Sequence, residues 1–184
     1  MCVTCIVGII DKDIVYIGGE RSASDDSSVV STLRPKVGIK GEWLYGFSGS
    51  YGTGQLIELI NLPKVLKNDD PYNLLRLIVV EELKRAYESF GRDHEDNAAD
   101  WLIGCKGRLF ELSSGDWGVI ELSESSIGSG NNIALGSLHT TRGFDIDPSE
   151  RISMALDAAI TISTTCIGPV DIIDRKSTRL NSSH

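Results

Sequence analysis

The chain has 184 residues, of which 41% are hydrophobic and 24% charged. That is enough for one compact domain with its own core and short for two. A formal net charge of -8 speaks against a nucleic-acid-binding surface, and no apolar run reaches the length of a membrane span. The N-terminus lacks the charged start of a signal peptide, so a cytoplasmic protein is the expectation. The four cysteines, Cys2, Cys5, Cys105 and Cys166, do not form the pattern of a disulfide scaffold. Cys2 and Cys5 make a C-x-x-C, but Cys105, Cys166, His94 and His139 offer no second paired spacing for zinc. No metal and no cofactor are expected.

In chain order, residues 4–10 and 14–18 are apolar runs around Asp11-Lys12-Asp13 and read as a hairpin. Residues 19–34 are rich in Ser, Asp and Gly and read as a loop with a short strand. A second hairpin, 36–40 with 43–48, turns at Gly41-Glu42. A glycine-rich turn at 49–54 leads into a short helix from Gln55 that stops before Pro63. Asp69-Asp70-Pro71 starts a longer helix, with Leu74, Leu75, Ile78, Leu83, Ala86, Tyr87 and Phe90 at helical spacing. Strands follow at 101–105, 108–113 and 117–122, then a short helix at 131–139 and another opened by Pro148. Cys166 to Ile173 reads as a closing strand. Hairpins grouped with helices predict an α+β fold in layers. Residues 174–184 are polar, basic and aperiodic, and read as a tail foreign to the domain or disordered.

Chemistry enters at the start of the chain. Thr4 opens the first apolar run, Glu20 stands sixteen residues on, and Lys36 sixteen beyond that. A threonine hydroxyl needs a base, and a free α-amine on the same residue is one, with a pKa of about 7.7–8.0. A neighbouring ammonium lowers that value, and a carboxylate holds the ammonium in place. In isolation, Thr4 also reads as an ordinary strand residue, Glu20 as a common acid and Lys36 as a solvated lysine.

Thr4-Cys5-Ile6-Val7-Gly8, Val15 to Ser22 around Gly18-Gly19-Glu20, Pro35-Lys36-Val37 and Gly46-Phe47-Ser48-Gly49-Ser50 resemble the opening of proteasome β-type subunits and of the HslV-type peptidase. Both are N-terminal-nucleophile (Ntn) hydrolases, and a branch encoded by phages and bacteria is the nearest likeness. The resemblance spans roughly residues 4–173. It implies a four-layer αββα sandwich and a threonine peptidase with Thr4 as nucleophile, Glu20 and Lys36 as its ion pair, and Ser129 beside the terminal amine. It further implies Gly49 as oxyanion donor, Ala23, Phe47 and Tyr51 around the substrate pocket, and residues 1–3 as a leader to be removed. Glu20 departs from the family's aspartate by one methylene. A family acid and serine fall at Thr161 and Thr164, so the acid is missing. The partners implied are copies of the same chain in rings, an ATP-driven unfoldase on another chain, and peptide or unfolded protein as substrate.

Three alternatives accompany that reading. Removal of Met1 alone exposes Cys2, itself a competent nucleophile. A catalytically inactive proteasome-like shell subunit fits the leader, Glu20 and the missing acid. A serine hydrolase at Ser48 fits only part of G-x-S-x-G, because Ser50 replaces the last glycine.

Overall fold

The structure, a computed structural model, describes residues 4–24, 28–90 and 97–176. Two antiparallel sheets form its centre. The first has the order β10-β1-β2-β11, from β1 (Ile6–Asp11), β2 (Ile14–Glu20), β10 (Glu124–Ile127) and β11 (Val170–Lys176). The second runs β5-β6-β7-β8-β9, from β5 (Val37–Lys40), β6 (Trp43–Gly49), β7 (Ala99–Cys105), β8 (Arg108–Ser113) and β9 (Val119–Leu122). β3 (Ser22–Ser24) and β4 (Val29–Ser31) pair separately as a ribbon. The turn between β1 and β2 places Lys12 and Asp13 both at positive φ, as a two-residue primed hairpin requires.

Period-two alternation sorts side chains into layers. On β1, Ile6 faces the other sheet, where it joins Ile17, Val37, Leu44, Leu102 and Leu109. Val7 and Ile9 point the opposite way, into a core shared with Leu138, Ile152, Leu156 and Ala159. Those residues come from α5 (Asn131–Thr141) and α6 (Pro148–Ile162), which cover the outer face of the first sheet. On β6, Trp43, Tyr45 and Phe47 face a third core built with Leu56, Leu75, Leu83 and Tyr87. That core lies under α1 (Tyr51–Gly54), α2 (Leu56–Leu59), α3 (Pro71–Leu74) and α4 (Val80–Ser89). Helix, sheet, sheet, helix is the expected αββα sandwich.

Helix starts follow local chemistry. The Asp70 carboxylate accepts the Tyr72 N–H at 3.1 Å ahead of Pro71, and Asp147 accepts the Ser149 N–H at 2.9 Å ahead of Pro148. Four expectations are corrected. A π-helical turn, Leu75–Val79, joins α3 to α4 and adds a residue to the inward stripe. Val79 and Val80 are therefore buried, while Ile78 and Phe90, expected inside, are exposed. β10 was not expected at all. The segment 19–34 holds two short strands instead of one. The closing strand starts at Val170 and runs past Ile173, with Asp174, Arg175 and Lys176 paired to Tyr16, Val15 and Ile14. Those three residues belong to the domain, and 177–184 lie outside the described residues.

Candidate active site

Three chain segments bring Thr4, Glu20 and Lys36 together. Thr4 stands just ahead of β1, Glu20 ends the neighbouring β2, and Lys36 precedes β5 on the facing sheet. Lys36 Nζ donates to Thr4 Oγ1 at 2.5 Å and lies 3.7 Å from Glu20 Oε1. All three are at least 97% buried, with relative exposures of 1% for Thr4, 0% for Glu20 and 3% for Lys36. Charged groups are rarely enclosed this far unless paired.

The enclosure explains how glutamate serves here. Its carboxylate accepts the Cys5 N–H at 2.9 Å on Oε1, and the N–H groups of Ser22 at 2.7 Å and Ile167 at 3.4 Å on Oε2. Backbone donors from three segments hold the longer side chain in one position. Lys36 is then the counter-ion aimed at the hydroxyl.

Ser129, between β10 and α5, accepts the Thr4 N–H at 3.3 Å on its Oγ and lies 3.4 Å from the Thr4 carbonyl oxygen. Its hydroxyl is also 3.0 Å from Thr165 Oγ1, which is 2.7 Å from Ser163 Oγ. Thr161 and Thr164 are exposed instead. The assignment of those two is corrected to Ser163 and Thr165, because α6 runs on to Ile162 and the turn after it points the odd-numbered hydroxyls inward. Sequence reasoning missed this pair, and also the Ile167 amide. The Ser163-Thr164-Thr165 cluster was the available signal.

Gly128 approaches the same corner. At φ +94 its backbone conformation favours glycine, and an added Cβ would lie 2.2 Å from the Thr4 carbonyl oxygen. Gly49, at φ +93, ends β6 with the Ala98 carbonyl 2.4 Å from its own would-be Cβ. Ser48 packs inward near Gly128, fully buried, and its hydroxyl has no hydrogen-bond partner among the described residues. A serine nucleophile requires a base in reach, so the geometry does not support Ser48 in that role.

Ala23 and Tyr51 line a shallow, open cleft of about 430 Å³ with Thr32, Leu33, Arg34 and Gln55. The Tyr51 ring is 5.9 Å from Lys36 Nζ, so this cleft adjoins the buried lysine. Phe47 is placed elsewhere: it faces the helix-side core, edge-on to Tyr51 at 5.5 Å. Its expected place on the pocket wall is corrected by the alternation of β6. Burial pushes the Cys5 thiol up to about 12 and raises Cys166 as well, so neither is a ready thiolate. Cys2, His94 and residues 1–3, expected to be a leader, lie outside the described residues. Among the described residues no three His, Cys, Asp or Glu side chains converge as metal ligands, and no helix is long and apolar enough to cross a membrane.

Two packed sheets between helices, with a threonine at the head of β1 facing a buried lysine, define the Ntn-hydrolase fold in its proteasome-like β-type form. Solved structures place the chain within that fold. It is similar to BPH of Thiobacillus denitrificans, at TM-score 0.80 and 18% identity over 96% of this chain and 100% of that one. It is similar to HslV of Trypanosoma brucei, at 0.71 and 20% over 93% and 98%. It is also similar to Anbu, the ancestral β-subunit of Yersinia bercovieri, at 0.72 and 13% over 93% and 80%. No protein-family model and no curated protein matches the sequence.

Proposed function

We propose that the chain is a threonine-type endopeptidase subunit of a proteasome-like, compartmentalised protease, active once Thr4 is the first residue. The contact between Lys36 Nζ and Thr4 Oγ1, at 2.5 Å inside a buried ion pair, carries this reading. In the reaction the α-amine of Thr4 takes the Oγ proton as Oγ attacks the substrate carbonyl carbon. Lys36 stabilises the negative charge growing on Oγ, and Glu20 keeps Lys36 charged and in place. The tetrahedral oxyanion is met by the Gly49 N–H. Its collapse passes the proton to the departing amine and leaves an ester on Thr4, which water then hydrolyses. Ser129, held by Thr165, orients the amine.

The same reading carries self-association into rings, an unfoldase on a separate chain, unfolded polypeptide as substrate and a cytoplasmic location. A chamber keeps so general an amide hydrolase from folded neighbours.

Epoxomicin, found in complex with the Thiobacillus denitrificans protein, is the direct probe. Its epoxyketone offers two electrophilic carbons, one for a hydroxyl and one for an amine of the same residue. The expected result is a covalent adduct on the peptide that begins at Thr4, abolished by Thr4→Ala. Assembled protein that keeps residues 1–3 and forms no adduct would establish the inactive shell subunit instead.

A further inference from the structure

Among the described residues that line the cleft beside Lys36, one is charged. Arg34 lines it together with Ala23, Leu33, Tyr51 and Gln55. Its situation is unlike that of the other described arginines. Arg21, Arg85, Arg108, Arg142 and Arg151 are ion-paired with carboxylates. Arg76 lies over the Tyr72 ring, and Arg175 donates to the Gly41 carbonyl. Among the described residues the Arg34 guanidinium has no such partner, in a chain where 26 acidic residues outnumber 18 basic ones. Glu58 lines a second depression that Arg34 also borders, but its carboxylate is met by the Tyr45 hydroxyl at 3.3 Å.

Ala23, Leu33 and Tyr51 supply an apolar wall suited to a methylene stem, and a guanidinium at the wall matches a carboxylate bidentately. The cleft also starts one side chain from the nucleophile. Tyr51 is both its wall and the ring 5.9 Å from Lys36 Nζ, which touches Thr4 Oγ1. We propose that Arg34 makes this cleft the subsite for an acidic residue on the acyl side of the scissile bond, so that the substrates are peptides cut after Glu or Asp. This rests on the reading of Thr4 as the peptide-cutting residue.

The test separates the two claims. Acetylated tetrapeptide amides of one sequence, ending in Glu, Gln or Leu, are titrated by calorimetry into the full-length protein and into Arg34→Gln. Fluorogenic versions of the same peptides are assayed for turnover. Because Arg34 is solvent-exposed, its replacement leaves the cores intact. The Glu peptide is expected to bind roughly tenfold tighter than the Gln peptide, a preference that weakens as salt is raised. In Arg34→Gln the ratio collapses to about one, and Arg34→Lys restores part of it, as a point charge without the bidentate fork would. Equal binding of Glu and Gln, stronger binding of Leu, no detectable binding of the Glu peptide, or a ratio unchanged in Arg34→Gln overturns the proposal. Selective binding without turnover of any peptide supports the cleft and counts against Thr4. Turnover that favours Leu supports Thr4 and removes the cleft assignment.

Discussion

Glu20→Gln isolates what the buried ion pair contributes. The substitution keeps the shape but removes the charge and turns one oxygen into an NH2 donor. If that donor replaces Oε1 it faces the Cys5 N–H, and if it replaces Oε2 it faces the N–H groups of Ser22 and Ile167. In either orientation a buried donor loses its acceptor, at about 1–3 kcal/mol per unsatisfied group. Lys36, 3% exposed, also loses the carboxylate charge of Glu20 that lies 3.7 Å from its Nζ. Removing one member of a buried pair costs about 3–5 kcal/mol, which we take for the whole effect because the terms overlap. For a chain of this length that corresponds to a fall in Tm of about 6–20 °C. Urea unfolding at fixed protein concentration and neutral pH measures it. A double variant, Glu20→Gln with Lys36→Met, should recover part of the loss, since the uncompensated charge goes too. A loss below about 1 kcal/mol for Glu20→Gln, or a double variant as unstable as the two single losses added, would refute the reasoning.

Gly128→Ala should destabilise by about 2 kcal/mol or more, since its Cβ meets the Thr4 carbonyl at 2.2 Å and its φ is +94. Gly136→Ala, on an open face of α5, should instead gain up to about 1 kcal/mol in the same urea titration. A matching loss at both sites would mean that the close approach is not the cause. Stability should fall as pH rises above about 9, because Cys5 and Cys105 are pushed by burial from 9.0 to about 12. The unfolded chain releases those protons first, so each thiol contributes fully below pH 9 and loses about 1.4 kcal/mol of that contribution by pH 10. Urea midpoints unchanged between pH 8 and 10 would contradict this. Thr165→Val should lower kcat about tenfold with little change in KM and shift the acidic limb of the pH profile, because Ser129 loses its 3.0 Å partner. Thr165→Ser should restore both, and an unaltered pH profile in Thr165→Val would make the residue merely structural.

Thr4, Glu20 and Lys36 were legible only through the family resemblance, because each reads in isolation as an ordinary residue. In the fold each sits at an end of an apolar strand, and a hairpin fixes the offset between strand ends. Phe47 was misplaced on the pocket wall although the sequence held the contrary signal: Trp43, Tyr45 and Phe47 share one parity on β6, and two further large aromatics on that side mark a core face. The parts set by helix ends were not legible. Whether Thr161 and Thr164 or Ser163 and Thr165 turn inward depends on where α6 stops, and hydrophobic periodicity locates such ends poorly. β10 escaped because Glu124-Ser125-Ser126-Ile127 is short and polar, and its place in the sheet comes from pairing with β1. Asp174, Arg175 and Lys176 escaped for a related reason: main-chain bonds to β2 accept charged side chains at a sheet edge. Arg34 showed no motif at all, and only the absence of an ion-pair partner among the described residues sets it apart.

The central claim is that hydroxyl and free amine belong to one terminal residue, and the N-terminus of purified, peptide-cutting protein tests it most directly. Intact mass together with N-terminal sequencing should give a chain beginning at Thr4, and Thr4→Ala should keep Met1-Cys2-Val3 or lose activity entirely. Full hydrolytic activity in protein whose mass still includes residues 1–3 would contradict the account.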